Sequence, residues 1–556
     1  MTAMPDYEAF QAEREALVRQ VVDSTAGLRL VVAGPGTGKT YLFQVVVQDG
    51  RKYLTLSFVN SLVDDLSLAL FGRSEVKTLH GFARSELRRL IGESVRVSPL
   101  LPAIVREDVE ILEGEAVDFE HLFHTRQEDD PAMAIYEERR KLYGHFGFAD
   151  IVSHVVRRYE EDPTAVPAYD CVLVDEFQDF NPLEVALIEM LGTRSPLLLV
   201  GDDDQALYEY LKSASPRYIR DRHIGEAGDY AVFELPYCSR CTDVIVDAAN
   251  NLVATAQSHG LLSNRIPKRL NYFPSEEKDA ESQANPSITF AQIFANQVPG
   301  FITSSVEKIG SRLRRPFEIL VLSPTRLQCI TLAAKLASKG FSSISLAVRG
   351  GMDSQRLLDG LRLLLDDKDC NLGWRIAASE VLDRERLAEV VGETARSNGD
   401  DVRISGMLKA QERSLIKRLL ASARKVRSRQ PTSDDNLREL LEACGIDALE
   451  AASQSLRDGH LAELPHGLPT GLAKTPVTIT TFQGAKGLAA DYVFIVNFDD
   501  QYCIKDRAAG PSDQDVCGFL VALTRARAGA YLVSTRAPDG DPTFLEWIGL
   551  SRVERV

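Results

Sequence analysis

Residues 28–47 read LRLVVAGPGTGKTYLFQVVV. The first six form a short apolar run suited to a buried strand, and the last seven carry apolar residues at helical spacing. Between them lies the glycine-rich turn Gly34-Pro35-Gly36-Thr37-Gly38-Lys39-Thr40. Strand, glycine turn and helix together are the setting in which backbone N–H groups cradle phosphates. Gly36 and Gly38 let the backbone approach the anion, and the helix N-terminus adds a favourable field. Lys39 then reaches the β- and γ-phosphates, and the Thr40 hydroxyl is a ligand for Mg²⁺. The general pattern opens on glycine, but here that position is Ala33.

Two further stretches repeat the design. CVLVDEFQDF (171–180) ends an apolar strand in two carboxylates. Open α/β sheets bind ligands at the carboxyl edge of their strands, so Asp175 is expected to hold Mg²⁺ and Glu176 to orient or deprotonate an attacking water. LLLVGDDDQALYEY (197–210) ends its strand at Gly201, and Gln205 follows. An amide beside a γ-phosphate senses its presence and passes the change to neighbouring loops. Tyr208 and Tyr210 suit either base stacking or core packing.

Composition bounds the rest. A chain of 556 residues is too long for one core and predicts three to four folding units. Hydrophobic content of 44% and charged content of 26% are those of an ordinary globular protein. No apolar run approaches the roughly 18 residues that span a bilayer. The polar start MTAMPDYEAFQAERE lacks a secretion signal, so a cytoplasmic protein without a membrane partner is expected. Of eight cysteines only Cys238 and Cys241 have ligand-like spacing, and without a second close pair no structural metal is expected. A net charge of −16 argues against a broad basic surface for duplex DNA and leaves room for a locally basic groove.

The motifs together resemble superfamily 1A helicases of the UvrD/Rep/PcrA type. AGPGTGKT matches motif I, VDEFQD motif II and VGDDDQALY motif III. SFVNSLVDDL (57–66) is similar to motif Ia, TLHGF (78–82) to Ib, and CSRCTDVIVDAANNLV (238–253) to motif IV. TTFQGAKGLAADYVFIV (480–496) is similar to motif V and VALTRAR (521–527) to motif VI. The resemblance implies an α/β fold with two RecA-like P-loop domains of parallel sheet, each interrupted by a mainly helical insertion, and ATP in the cleft between the domains. It implies Arg240 and Arg525 as arginine fingers, which stabilise charge on a transferring phosphoryl group. It places Tyr237 and Gly487 with the phosphate-loop residues at the nucleotide. It also places Phe58, Asn60, Thr78, His80, Tyr208, Tyr210 and Gln483 along a DNA strand.

The chain departs from the family at several positions. The tyrosine usual before the motif IV arginine is Ser239, with Tyr237 two residues away. The acidic residue usual after KGL is Ala489, with Asp491 nearby. The motif V histidine is Gln483, and the arginine and glycine usual after the motif III aromatic are Leu211 and Lys212. For the nucleobase-reading glutamine upstream of motif I, Gln20 is the choice and Gln11 the runner-up.

The predicted organisation is a first core at 1–82 and 147–230 with a helical insertion at 83–146. A second core follows at 231–345 and 472–556, with a helical insertion at 346–471. The second core is taken to begin with the strand AVFEL, and the polar stretch 273–286 to be a mobile loop. Arg84 and Arg88, on one helix face, suit phosphate contact or solvent about equally. No nuclease signature is visible, so any cutting of DNA falls to a partner nuclease.

The expectation is an ATP- and Mg²⁺-dependent single-stranded-DNA translocase or helicase, moving 3′ to 5′ and acting on single strands or tailed duplexes. The alternative is a DNA-stimulated ATPase or sensor without robust unwinding, controlling a partner nuclease in DNA repair or antiviral defence.

Overall fold

Strand β1 (Leu28–Ala33) is buried along five of its six residues, which is why its sequence shows no alternation. Both of its faces are covered, as for the inner strands of parallel sheets generally. The computed structural model describes residues 7–57, 60–92, 94–127, 130–207, 213–313, 315–346, 352–397, 402–427, 475–535 and 540–556. Among these, β1 joins β2 (Tyr53–Ser57), β3 (Glu75–Thr78), β4 (Cys171–Val174), β5 (Leu197–Gly201) and β6 (Ala231–Leu235) in a sheet of order β3-β2-β4-β5-β1-β6. Every pairing is parallel. β4, β5 and β1 are neighbours, so the segments that follow them meet at one carboxyl edge.

A short parallel pair, β7 (Tyr237–Cys238) with β8 (Asn271–Tyr272), comes next. The second large sheet contains β9 (Ile288–Gln292), β10 (Ile319–Ser323), β11 (Ile344–Leu346), β12 (Val477–Thr481), β13 (Ala490–Val496), β14 (Ala526–Ser534) and β15 (Val553–Arg555). Its order is β11-β12-β10-β13-β14-β9-β15, again all parallel. One face buries Val493 and Ile495 with Ile245 and Leu252 of the helix Asp243–Ser258. The other buries Val321, Ile479 and Phe494 with Ile302 and Leu336. The fold is therefore the doubly sheeted parallel α/β arrangement that the RecA-like resemblance implies.

The chain divides into two compact units. One holds both large sheets (1–82, 166–348 and 467–556), and the other holds 83–165 with 349–466. In the second unit the two insertions share one core. Asp108, on the helix Leu101–Glu113, is fully buried between Arg139 and Arg375. Arg139 donates to Oδ2 at 2.8 and 2.6 Å, and Arg375 Nε donates to Oδ1 at 2.8 Å. Removing one partner of such a buried set leaves an uncompensated charge, a loss of roughly 3–5 kcal/mol. Arg375 belongs to the second insertion and Arg139 to the first, so this knot ties together segments distant in sequence.

Three assignments read from sequence need correction. AVFEL is β6, paired with β1 at the edge of the first sheet rather than opening the second. Residues 147–165 fall with the insertions, because the helix Phe148–Glu161 buries Ile151, Val152, Val155 and Val156 there. The stretch 273–286 contains the helix Glu276–Ala284, capped by the Ser275 side chain on Lys278 N. Its polarity had masked that cap. Of the two arginines read on one helix face, Arg84 is engaged within the protein, on Val95 O, and Arg88 is exposed. Within the insertion expected to be helical at 346–471, the stretch DDNLRELLEACG (434–445) lies outside the described residues.

Candidate nucleotide site

β1 delivers the chain to Gly34, and the helix Lys39–Val46 starts five residues later with Gly38 in the left-handed region at φ 96°. Gly36 is also left-handed, at φ 70°. A Cβ there would lie 2.4 Å from Arg240 Cβ and 3.0 Å from Cys238 Sγ, so only glycine fits. The Gly36 carbonyl accepts from Ser239 N at 3.0 Å and Ser239 Oγ at 3.3 Å. Ser239, where the family has a stacking tyrosine, thus ties the phosphate loop to the segment carrying Arg240. Thr37 Oγ1 closes the turn on Gly34 O at 2.9 Å.

A cavity of about 230 Å³ opens beside this loop. Its lining brings together Pro35 to Thr40 with Asp175, Glu176 and Gln205 from the first sheet, and Ser239, Arg240, Gly487 and Arg525 from the rest of the chain. Ala33 and Gly34 lead into it from β1, the former fully buried.

At the end of β4, Glu176 adopts a left-handed backbone at φ 54°, a strained conformation for a non-glycine residue. The turn aims its carboxylate at Lys39, whose Nζ lies 2.5 Å from Oε1. Gln178 Nε2 donates to Oε2 at 2.6 Å. Burial alone would raise the Glu176 carboxyl, but Lys39 and Lys486 outweigh it and hold the group well below the usual carboxylate range. Burial pushes Asp175 up to about 6, and the adjacent Glu176 adds to the rise against the pull of Lys39. The Asp175 carboxylate already accepts from Glu176 N at 3.0 Å.

Lys486, from the turn between β12 and β13, was not picked out by sequence reading. It is 3% exposed, pairs with Asp179, lies 3.6 Å from Glu176 Oε2 and donates to Gln205 O at 2.8 Å. Its position immediately before Gly487 in AKGL was the available signal.

Arg525 stands just before β14, buried at 3% exposure, and its Nη2 donates to Gln205 Oε1 at 3.3 Å. Burial, and then the charge of Arg240, push it down to about 9. Arg240 Nη1 is buried with no hydrogen-bond partner among the described residues. A buried guanidinium beside a half-buried one that carries an orphaned donor suits a polyanion. The Thr40 hydroxyl and the Asp175 carboxylate flank the same cavity and are the oxygen donors a Mg²⁺ ion prefers.

Gln20 is not brought to the cavity. It is exposed on the helix Tyr7–Asp23, whose buried face runs through Val18 and Val21, and Gln11 pairs with Glu15. Arg14 is the residue of that helix that reaches the loop. A Cβ on Gly38 would lie 2.8 Å from its Nη2. Its guanidinium sits 5.5 Å from the Tyr41 ring centroid and 5.1 Å from that of Phe273. Tyr237 packs edge-on against Phe10 and Phe273 at 6.2 and 6.1 Å. Asp491 is occupied elsewhere, accepting from Glu318 N at 2.9 Å and Arg315 at 3.2 Å.

Of the residues expected along a DNA strand, Asn60, Thr78, His80 and Gln483 are among the described residues. Thr78 Oγ1 accepts from Gly81 N at 3.0 Å, and His80 Nε2 lies 3.5 Å from Glu184 Oε1. Gln483 is exposed and lines a separate cavity of about 380 Å³ with Leu207, Phe482 and Tyr502. Asn60 begins the helix Asn60–Ala69. Phe58, Tyr208, Tyr210, Leu211 and Lys212 lie outside the described residues.

Residues 119–223 match the family model of the UvrD/REP helicase N-terminal domain. The ATP-dependent DNA helicase UvrD2 of Mycobacterium tuberculosis is 25% identical over 449 residues, covering 73% of this chain and 55% of the relative. The putative ATP-dependent DNA helicase YjcD of Bacillus subtilis is 32% identical over 123 residues, 21% of this chain and 16% of the relative. DNA helicase II of Haemophilus influenzae is 30% identical over 155 residues, 27% and 20% of the two chains. The chain spans about half the length of the UvrD2 relative. The resemblance to UvrD-like helicases of superfamily 1A therefore rests on a matching family model and on relatives as well as on motifs.

Proposed function

We propose that this UvrD-like chain is an ATP-dependent motor that moves along single-stranded DNA, 3′ to 5′, and opens duplexes ahead of it. The observation that carries the reading is the cavity shared by Lys39, Glu176, Arg240 and Arg525, because the first two come from the first sheet and Arg525 from the start of a strand in the second. Hydrolysis in such a site depends on how the two sheets stand to each other, so the chemistry and a relative movement of the sheets are coupled.

In this reading the loop from Gly34 to Gly38 cradles the phosphates, and Lys39 exchanges Glu176 for a phosphate oxygen. Glu176, released from Lys39 but held by Gln178, takes a proton from the attacking water. Arg240 and Arg525 stabilise the charge that develops on the transferred phosphoryl group. Thr40 and Asp175 would hold Mg²⁺, which supplies charge neutralisation between phosphate oxygens. Gln205, bonded to Arg525, reports occupancy of the γ position to the loop that continues toward Tyr208. Arg14, Tyr41, Tyr237 and Phe273 supply flat surfaces for the base in place of Ser239. Gln483 and the residues around it take up the DNA strand.

Strand displacement on duplexes carrying a 3′ or a 5′ single-stranded tail tests the reading. Unwinding of the 3′-tailed substrate with ATP is expected. Hydrolysis stimulated by DNA with neither substrate unwound would favour a sensor or translocase that acts through a partner.

A further inference from the structure

Asp202, Asp203 and Asp204 follow β5 directly and are 1%, 1% and 3% exposed. Three adjacent buried carboxylates repel one another and require cations. Arg220 Nε lies 2.8 Å from Asp203 Oδ2, and Arg265 Nη2 lies 2.6 Å from Asp204 Oδ2. Lys268 alone serves all three among the described residues. Its Nζ lies 3.0 Å from Asp202 Oδ1 and 2.9 Å from Asp204 Oδ2, and it also pairs with Asp203. The cluster is filled by these side chains and offers no cation site.

Of the three carboxylates, Asp202 leads to the nucleotide cavity. Its backbone N–H donates to Gln178 Oε1 at 3.0 Å, and Gln178 in turn holds Glu176. Its Oδ2 accepts from Gln205 Nε2 at 2.8 Å. A carboxylate on one side and a guanidinium on the other permit a single orientation of the Gln205 amide, with the NH₂ toward Asp202 and the oxygen toward Arg525. We propose that Lys268 is a positioning residue for hydrolysis: by pinning Asp202 Oδ1 it fixes the Oδ2 that orients Gln205, and through Gln205 the Arg525 guanidinium. Nothing in the ordered motifs singled out Lys268, which lies between motifs IV and V in the sequence. The inference rests on the ATP-hydrolysis reading above.

The test uses the full chain and three variants: Lys268→Met, Lys268→Arg, and Arg220→Met, which removes a cation that touches Asp203 only. Steady-state ATP turnover, binding of a fluorescent ADP analogue and Tm are measured for each. Lys268→Met is expected to lower kcat about 100-fold while analogue affinity stays within about twofold, the signature of a misplaced catalytic group rather than a lost site. Lys268→Arg restores part of the loss, to within about tenfold of wild type, and Arg220→Met keeps kcat within about twofold even where it lowers Tm. Wild-type kcat in Lys268→Met, equal losses of kcat in Lys268→Met and Arg220→Met, or affinity falling in step with kcat would each overturn the inference. If Lys268→Met does not fold, Lys268→Arg decides: a lowered kcat at unchanged Tm and affinity supports the role, and a wild-type kcat overturns it. A wild-type chain that hydrolyses no ATP overturns the proposed function itself, and this inference with it.

Discussion

Lys39 Nζ and Glu176 Oε1 form a 2.5 Å ion pair across the nucleotide cavity. Each side chain is thereby parked on the other, and in the proposed mechanism a triphosphate that engages Lys39 releases the carboxylate for work on water. The two residues should fail in different ways. Lys39→Ala is expected to abolish both nucleotide binding and hydrolysis. Glu176→Gln should bind a fluorescent ATP analogue at least as well as wild type while hydrolysis falls by about 100-fold or more. Equal loss of binding in both variants would show that Glu176 acts in holding the loop and not in the chemistry.

Arg240 and Arg525 converge on the same cavity from separate parts of the chain. Replacing either by Ala should lower kcat by about 1,000-fold with a small change in KM, because the interaction matters chiefly for the transition state. The double variant should lose little more than the worse single one, since neighbouring groups that act as a unit are not additive. The measurement is steady-state ATP turnover. A rise in KM with kcat unchanged would make these arginines ground-state anchors.

Much of this site was legible in sequence because phosphate chemistry is local. Gly34 to Thr40 are consecutive, and Asp175 and Glu176 sit side by side at a strand end, so spacing alone places their backbone. Lys268 and Arg14 were not legible, and Lys486 only through its place in AKGL, because each contacts partners far away in sequence: Asp202, the Tyr41–Phe273 pair and Asp179. The edge strand β6 was misassigned for a related reason. AVFEL reads as a strand in any sheet, and only its pairing with β1 decides which. Gln20 failed because helix phase, set by Val18 and Val21, turns it to solvent.

Asp150 is fully buried in the helical unit and accepts from Tyr136 Oη at 2.8 Å. Burial pushes its carboxyl from the usual 3.8 up to about 7. A raised carboxyl pKa means that ionisation costs the folded state, so this stability is fully present below 3.8 and lost as pH rises toward 7. Asp150→Asn keeps an acceptor for Tyr136 without the charge. It should be more stable than wild type at pH 8, by on the order of 3–4 kcal/mol at most, with the advantage shrinking as pH falls. Urea titrations of both proteins at several pH values between about 4 and 8 check this. A pH-independent difference would mean that Asp150 does not titrate in that range.

The proposed motor couples ATP hydrolysis in one cavity to a DNA strand. The steady-state ATP hydrolysis rate of the full chain, measured against single-stranded DNA concentration with blunt duplex DNA and single-stranded RNA as comparisons, tests that coupling. A low basal rate is expected that rises saturably, by about tenfold or more, with single-stranded DNA and much less with the other two. A rate indifferent to single-stranded DNA, or raised equally by all three, would contradict it.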